Sequence, residues 1–193
     1  MLYDWYVLIT MLKDKLVAYV QSSATTVERQ NGDSTMYDDL TNICQPPTQI
    51  IDNIYIGNAY NAAHWRQLQE LNIKSIVNVT AEIPNYYEDY IDYCCLSIYD
   101  DSESHISNLL VSTIAFIKAE QNKNKDATIL VHCFMGRSRS VAIVVAYLHV
   151  IHKYTIDDAI EFVKAKRSWV NINKKFYDEL LIFSNRNGAN KNW

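Results

Sequence analysis

The chain has 193 residues, 49% of them hydrophobic and 21% charged, with a formal net charge of -4. That length and apolar share suffice for one domain with a sizeable core, and the mild acidity argues against a general nucleic-acid binder, though not against a local basic pocket. The four cysteines, Cys44, Cys94, Cys95 and Cys133, have neither disulfide nor zinc spacing, so a reducing, intracellular, cytoplasmic setting is expected.

Residues 1–21 are apolar on nearly every face and read as a helix that must bury itself, in cis or in a partner. Asp4 and the Lys13-Asp14-Lys15 cluster interrupt the run, so neither a membrane span nor a signal peptide is expected, and the protein should be soluble. Residues 22–45 form a connector, polar as far as Met36. The compact domain is expected over 46–187, with a short tail at 188–193.

Pro46-Pro47 sets an extended entry, and "IIDNIYIG" reads as strands or a hairpin ending at Gly57. "NAAHWRQLQELN" has Ala62, Trp65, Leu68 and Leu71 at helical spacing, with Asn72 as a stop. "IKSIVNVT" and "YIDYCCLSIYD" are β-rich, and Cys94 and Cys95 read as buried strand cysteines, the alternative being a disulfide with Cys133 under oxidation. "ISNLLVSTIAFIKAEQNKN" is a helix with Leu109, Ile114 and Ile117 on its apolar side, "DATILVHC" a buried strand, and "SVAIVVAYLHVIHK" a buried helix. "TIDDAIEFVKAKR" opens with an N-cap at Thr155 and acids in its first turn. "NKKFYDELLIFSNR" is the last helix. This alternation predicts an α/β fold with a central, mostly parallel, twisted sheet flanked by helices.

The informative stretch is "ILVHCFMGRSRSVAIVVAYL", from Ile129 to Leu148. Cys133 follows an apolar strand, and Arg139 comes six residues later, where a helix starts. A tight loop between them would turn its backbone N–H groups and the helix N-terminus toward one point, a cradle for an anion with three equatorial oxygens. Arg139 can add a bidentate guanidinium fork to two of those oxygens. Gly136 suits a place where the backbone turns close to a ligand. Cysteines at helix N-termini with cationic neighbours commonly fall from a pKa of about 8.5 to roughly 3.5–7.5, so Cys133 is expected to be a thiolate near neutral pH. Attack of that thiolate on a phosphate monoester gives a phospho-cysteine, which water then hydrolyses. The reading requires the sulfur of Cys133 to be reachable from solvent.

"HCFMGRSRS" resembles the signature of the cysteine-dependent protein tyrosine phosphatases, and in particular the dual-specificity branch, where Gly-x-Ser-Arg-Ser closes the phosphate loop. "IYIGN" at Ile54 to Asn58, "NAAHWRQLQELNIKSIVNVT" and "AYL" at Ala146 to Leu148 are similar to the family's corresponding segments. "KRSWVNINKKFYDELL" resembles the family's Arg-Pro-x-Val-x-Pro-Asn-x-Gly-Phe-x-x-Gln-Leu segment, with Arg167, Asn173, Phe176 and Leu180 in register. The likeness runs from about Thr48 to Leu181. Ser168 and Ile172 stand where prolines are usual, and Lys175 where glycine is usual. The catalytic string is intact, so an inactive pseudophosphatase is not expected.

The resemblance implies roles. Cys133 is the nucleophile, and Arg139 binds the phosphoryl oxygens and holds their charge in the transition state. Ser140 donates to the Cys133 sulfur and helps it leave. His132 orders the loop and helps lower the thiol pKa, unless it is simply a satisfied core histidine. The leaving oxygen needs a proton; aligned without gaps, the family's acid falls on Asp100, with Asp101 as the alternative, and either could instead cap the following helix. Phe134, Met135, Gly136, Arg137 and Ser138 line the phosphate loop mainly through backbone N–H groups. No metal or other cofactor is required, because the thiolate and Arg139 supply what a metal would.

Some viral members of this branch resemble the N-terminal arrangement and dimerise through an exchanged helix. Trp5, Leu8, Ile9, Leu12, Leu16 and Val20 could form the matching stripe, so a homodimer is expected over packing in cis. The leading function is hydrolysis of phosphotyrosine and phosphoserine or phosphothreonine in protein substrates, with no nucleic-acid or membrane partner. An RNA 5′-phosphatase of the same superfamily and a non-catalytic phosphoprotein-binding module are the alternatives.

Overall fold

The computed structural model describes residue 42 and residues 44–126 and 128–187. The fold below is that of the unit beginning at Pro46. The expected helix over 1–21, most of the connector and the tail at 188–193 lie outside the described residues.

Among the described residues, five strands form one sheet: β1 (Thr48–Ile51), β2 (Ile54–Gly57), β3 (Ile73–Asn78), β4 (Asp92–Cys95) and β5 (Thr128–His132), in the order β1-β2-β5-β3-β4. β1 and β2 are an antiparallel hairpin, and the remaining pairings are parallel. The helices that cover it are α1 (Ala59–Ala63), α2 (Trp65–Glu70), α3 (Ser107–Lys123), α4 (Arg139–His152), α5 (Ile156–Lys166) and α6 (Lys174–Asn187). The expected α/β class and mostly parallel sheet are what the chain adopts.

Period-two alternation divides the central strand between two cores. Ile129 and Val131 pack under α3–α6, while Leu130 joins Leu68, Ile73 and Ile76 under α1 and α2. α4 is apolar on every face and accordingly buried from Arg139 through Leu148. α5 starts where expected: the Thr155 hydroxyl accepts from Asp158 N, and Asp157 and Asp158 occupy its first turn.

Two expectations need correcting. The single helix expected over "NAAHWRQLQELN" is two, because His64 leaves helical geometry (φ -91°, ψ 81°) between α1 and α2. The break turns Trp65 onto the ring of Tyr87, 4.8 Å between centroids. Cys94 and Cys95 are not both buried. They sit on the edge strand, Cys94 half-buried and Cys95 exposed, its sulfur accepting from Asn85 Nδ2 at 2.9 Å. Among the described residues, no helix is long and apolar enough to cross a membrane.

The registers put the strand ends together. Gly57 and Asn78 both pair with His132, and Asn78 pairs with Cys95. The segments leaving β2, β3, β4 and β5 therefore emerge along one sheet edge, where open α/β sheets bind ligands.

Candidate active site

Cys133 is the first residue beyond β5, and α4 begins at Arg139. The carbonyls of this stretch are drawn outward. The His132 oxygen accepts from Val79 N (2.9 Å), the Phe134 oxygen from Ala59 N (3.1 Å), the Arg137 oxygen from Asn171 N (2.8 Å) and the Ser138 oxygen from Ala142 N (2.9 Å). The Gly136 oxygen accepts from Arg167 Nε at 2.7 Å. In a trans peptide the next N–H points opposite to the carbonyl. Tying the oxygens outside therefore turns the following N–H groups inward, the arrangement an anion requires.

Gly136 makes the turn with φ +67°. A Cβ there would lie 2.5 Å from both Arg167 Nη2 and the Gly57 carbonyl oxygen, so both conformation and space demand glycine. Its N–H points at the Cys133 sulfur, 3.2 Å away, and the Ser140 hydroxyl lies 3.3 Å from the same atom. Cys133 itself is only 1% exposed, a deeper setting than the reachable sulfur that the sequence leads one to expect. Met135 is buried, while Phe134 and Arg137 are half-buried at the rim.

Arg139 is 4% exposed. Its Nη1 donates to Glu82 Oε2 and to the Ile98 carbonyl, each at 2.9 Å, and its Nη2 lies 2.7 Å from Glu82 Oε1. A guanidinium has five N–H donors. With Glu82 across the two Nη atoms, the Nε–H and the adjacent Nη2–H remain on one edge, and Nε is buried with no hydrogen-bond partner. The Nε/Nη2 edge is thus the one left over for the expected bidentate fork. Burial disfavours the cation, but the charges of Cys133, Glu82 and Asp100 outweigh it and hold the group above the usual arginine value.

Asp100 faces the same loop. Its Oδ1 accepts from Ser138 Oγ (2.8 Å) and from Asn173 Nδ2 (2.6 Å), and its Oδ2 lies 3.8 Å from Arg139 Nε. Asp101 instead turns its Oδ1 to the N–H groups of Ser104 and Glu103, at 2.7 and 3.1 Å, closing a local turn. The hydrogen bonds of Ser104, backbone first, hold its carboxyl below the usual value. Ser138 is the N-cap of α4 by position, yet its hydroxyl makes no cap bond and serves Asp100 instead, leaving the helix N-terminus open toward the loop.

His132 is fully buried behind the loop. Burial, reinforced by the Arg139 charge against a backbone hydrogen bond at Cys133, pushes it down to about 4. It is therefore neutral at pH 7 and offers the thiol no positive charge. Its Nδ1 is buried with no hydrogen-bond partner, so it is not the satisfied core histidine of the alternative reading.

The structure thus brings Cys133, Arg139, Ser140, Asp100 and the loop 134–138 to one edge. Sequence reasoning missed Glu82, and it noted Asn173 and Arg167 only as being in register. Position alone could have found Glu82: it lies four residues beyond the end of β3, just as Asp100 follows β4 and Cys133 follows β5. The turn carrying it is fixed by Asn78 Nδ2 to the Ile83 carbonyl (2.8 Å) and Thr80 Oγ1 to Asn78 Oδ1 (2.6 Å).

The chain has relatives. A family model described as "Dual specificity phosphatase, catalytic domain" matches residues 54–186. Protein phosphatase Slingshot of Drosophila melanogaster is 35% identical over 149 residues, 76% of this chain and 14% of its own length. Dual specificity protein phosphatase 4 of Homo sapiens is 35% identical over 140 residues, 72% of this chain and 35% of its own. Among solved structures, a single-substitution variant of human DUSP28 superposes with a TM-score of 0.71 at 25% identity, covering 75% of this chain and 98% of that one. The chain spans about a third or less of the length of those two curated relatives.

Proposed function

The chain belongs to the dual specificity phosphatase family, and from that premise we propose that it hydrolyses phosphotyrosine and phosphoserine or phosphothreonine in protein substrates. In the first step the Cys133 thiolate attacks phosphorus, the ester P–O bond breaks, and the leaving oxygen takes a proton from Asp100. In the second, water attacks phosphorus and gives a proton back to the Asp100 carboxylate. The P–S bond then breaks, with the Ser140 hydroxyl donating to the departing sulfur. The Nε/Nη2 edge of Arg139 and the inward N–H groups hold the phosphoryl oxygens throughout. The observation that carries this reading is the convergence of three groups on one sheet edge. Asp100 lies 3.8 Å from Arg139 Nε, and the Cys133 sulfur is held by Gly136 N–H and Ser140.

The test is hydrolysis of an aryl phosphate by the full chain. Cys133→Ser should reduce it by roughly 10⁴–10⁶-fold. The native sulfur should also be alkylated at neutral pH faster than free cysteine, and inorganic phosphate should protect it. A sulfur inert to iodoacetamide, or an active Cys133→Ser variant, sinks the mechanism. Cleavage of phosphotyrosyl and phosphoseryl or phosphothreonyl peptides then tests the dual specificity.

Two further parts of the proposal rest on sequence alone. Homodimerisation through residues 1–21 is supported by their apolar stripe, and a cytoplasmic setting by the cysteine spacing. Sedimentation of the full chain against one starting near residue 40 should show the dimer lost in the shorter chain; equal masses per subunit would remove it.

A further inference from the structure

Arg167 caps the C-terminus of α5 and is 0% exposed. Its Nε donates to the Gly136 carbonyl (2.7 Å) and its Nη1 to Thr48 Oγ1 (2.9 Å), and the guanidinium stacks over Trp169, 4.3 Å from the ring centroid. Its Nη2 is buried with no partner. Among the described residues no carboxylate pairs with it. A buried cation without a counter-ion is costly to keep, and burial pulls this one down to about 10, opposed by the Cys133 charge.

The position explains the retention of this cation. Arg167 grips the one peptide of the loop that turns through φ +67°, and its Nη2 lies 2.5 Å from where a Gly136 Cβ would be. Holding the Gly136 oxygen outward directs the Arg137 N–H the other way. Asn171 N, four residues further on, does the same to the next peptide through the Arg137 oxygen.

We infer that Arg167 is a positioning residue for phosphoryl binding: by pinning the Gly136 carbonyl it presents the Arg137 N–H to the anion, without touching substrate. The inference rests on the phosphatase reading and adds a residue to it. It is tested in the full chain by titrating inorganic phosphate and following the Arg137 amide by ¹⁵N–¹H correlation spectra.

In the native chain the Arg137 amide should move on saturation. Arg167→Met should abolish that movement and weaken phosphate by roughly 10- to 100-fold, the worth of one hydrogen bond to a charged group. Arg167→Lys keeps the charge but not the planar grip; it should weaken phosphate less, and it stands in if the methionine variant does not fold. A folded variant with native phosphate affinity and a native Arg137 shift overturns the inference. So does a native chain whose Arg137 amide ignores phosphate while Gly136 and Ser138 respond. A native chain that neither binds phosphate nor cleaves an aryl phosphate sinks the phosphatase reading itself; native cleavage with an indifferent Arg137 sinks only the role of Arg167.

Discussion

The loop from Cys133 to Arg139 and the segment from Tyr99 to Ile106 meet at Asp100 and Ser138, yet they are held in different ways. In the first, the carbonyls of Phe134, Arg137 and Ser138 are tied by backbone N–H groups and that of Gly136 by a buried arginine. In the second, the ties are side chains reaching across from elsewhere. Asn173 donates to Asp100, and the Glu179 carboxylate accepts from Ile106 N and Ser107 N at 2.8 and 2.9 Å. Backbone ties fix the shape of the whole loop. Side-chain ties fix only where one carboxylate points. The two regions should therefore fail differently: damage to the first should cost anion binding and chemistry together, and damage to the second chemistry alone.

Arg139→Lys probes that difference most severely. Lysine keeps the charge but loses the Nε/Nη2 edge and the grip of Glu82 across both Nη atoms. kcat/KM for an aryl phosphate should fall by roughly 10²–10³-fold, with weaker inhibition by phosphate. Unchanged phosphate inhibition would mean that the fork is not what holds the anion.

Asp100→Asn should act on the other side of the comparison. A general acid contributes about 10²–10⁴-fold, so kcat should fall within that range for esters with poor leaving groups. It should fall far less for nitrophenolate, which leaves without help, and phosphate inhibition should stay native. Asn173→Ala, which frees Asp100 to wander, should give the same pattern more weakly. Asp101→Asn should lose only a turn. If Asp101→Asn shows the leaving-group dependence instead, the acid has been placed one residue early.

The two regions also differ in how far the sequence exposed them. The loop was legible because its parts are contiguous: a β-branched run, a cysteine, a glycine that needs φ > 0 and a helix start fall within a dozen residues, and each obeys a local rule. Asp100 was legible only through its alignment with a family pattern, and the choice between two adjacent aspartates needed three dimensions. What favours Asp100 is that Asn173, 73 residues away, reaches it while Ser104 holds Asp101 in a local turn. Glu82 and Arg167 were missed as partners for the same reason. Their work depends on which strand ends lie side by side, and the order β2-β5-β3-β4 is not written in any single segment. Local rules misled at His64, where a helical period continued through a real break, and at Cys95, where an apolar-looking strand turned out to be a sheet edge.

The far end of the acid segment offers the mildest test, and a pH signature. Glu179 stands where the resembled segment has glutamine, and it is buried in α6. Burial raises its pKa, but the N–H groups of Ser107 and Ile106 and the His105 ring, 2.5 Å away, together bring it below the ordinary glutamate value of 4.5. A carboxylate depressed in the folded state adds stability that is fully present above the unfolded value and lost as pH falls through the folded one. Glu179→Gln keeps an acceptor for one N–H and gives up the charge, so it should cost about 1–2 kcal/mol at pH 7. The cost should shrink as pH falls from about 4.5 through the lower folded value, because the unfolded chain takes up the proton before the native carboxylate does. Urea titrations of both chains at pH 7 and at acid pH measure it. Among the described residues no hydrogen bond ties the Cys133 loop to Glu179, so phosphate inhibition should be the same in both chains. A stability gap equal at both pH values would show that the charge of Glu179 contributes nothing and that the residue acts by packing and as a neutral acceptor.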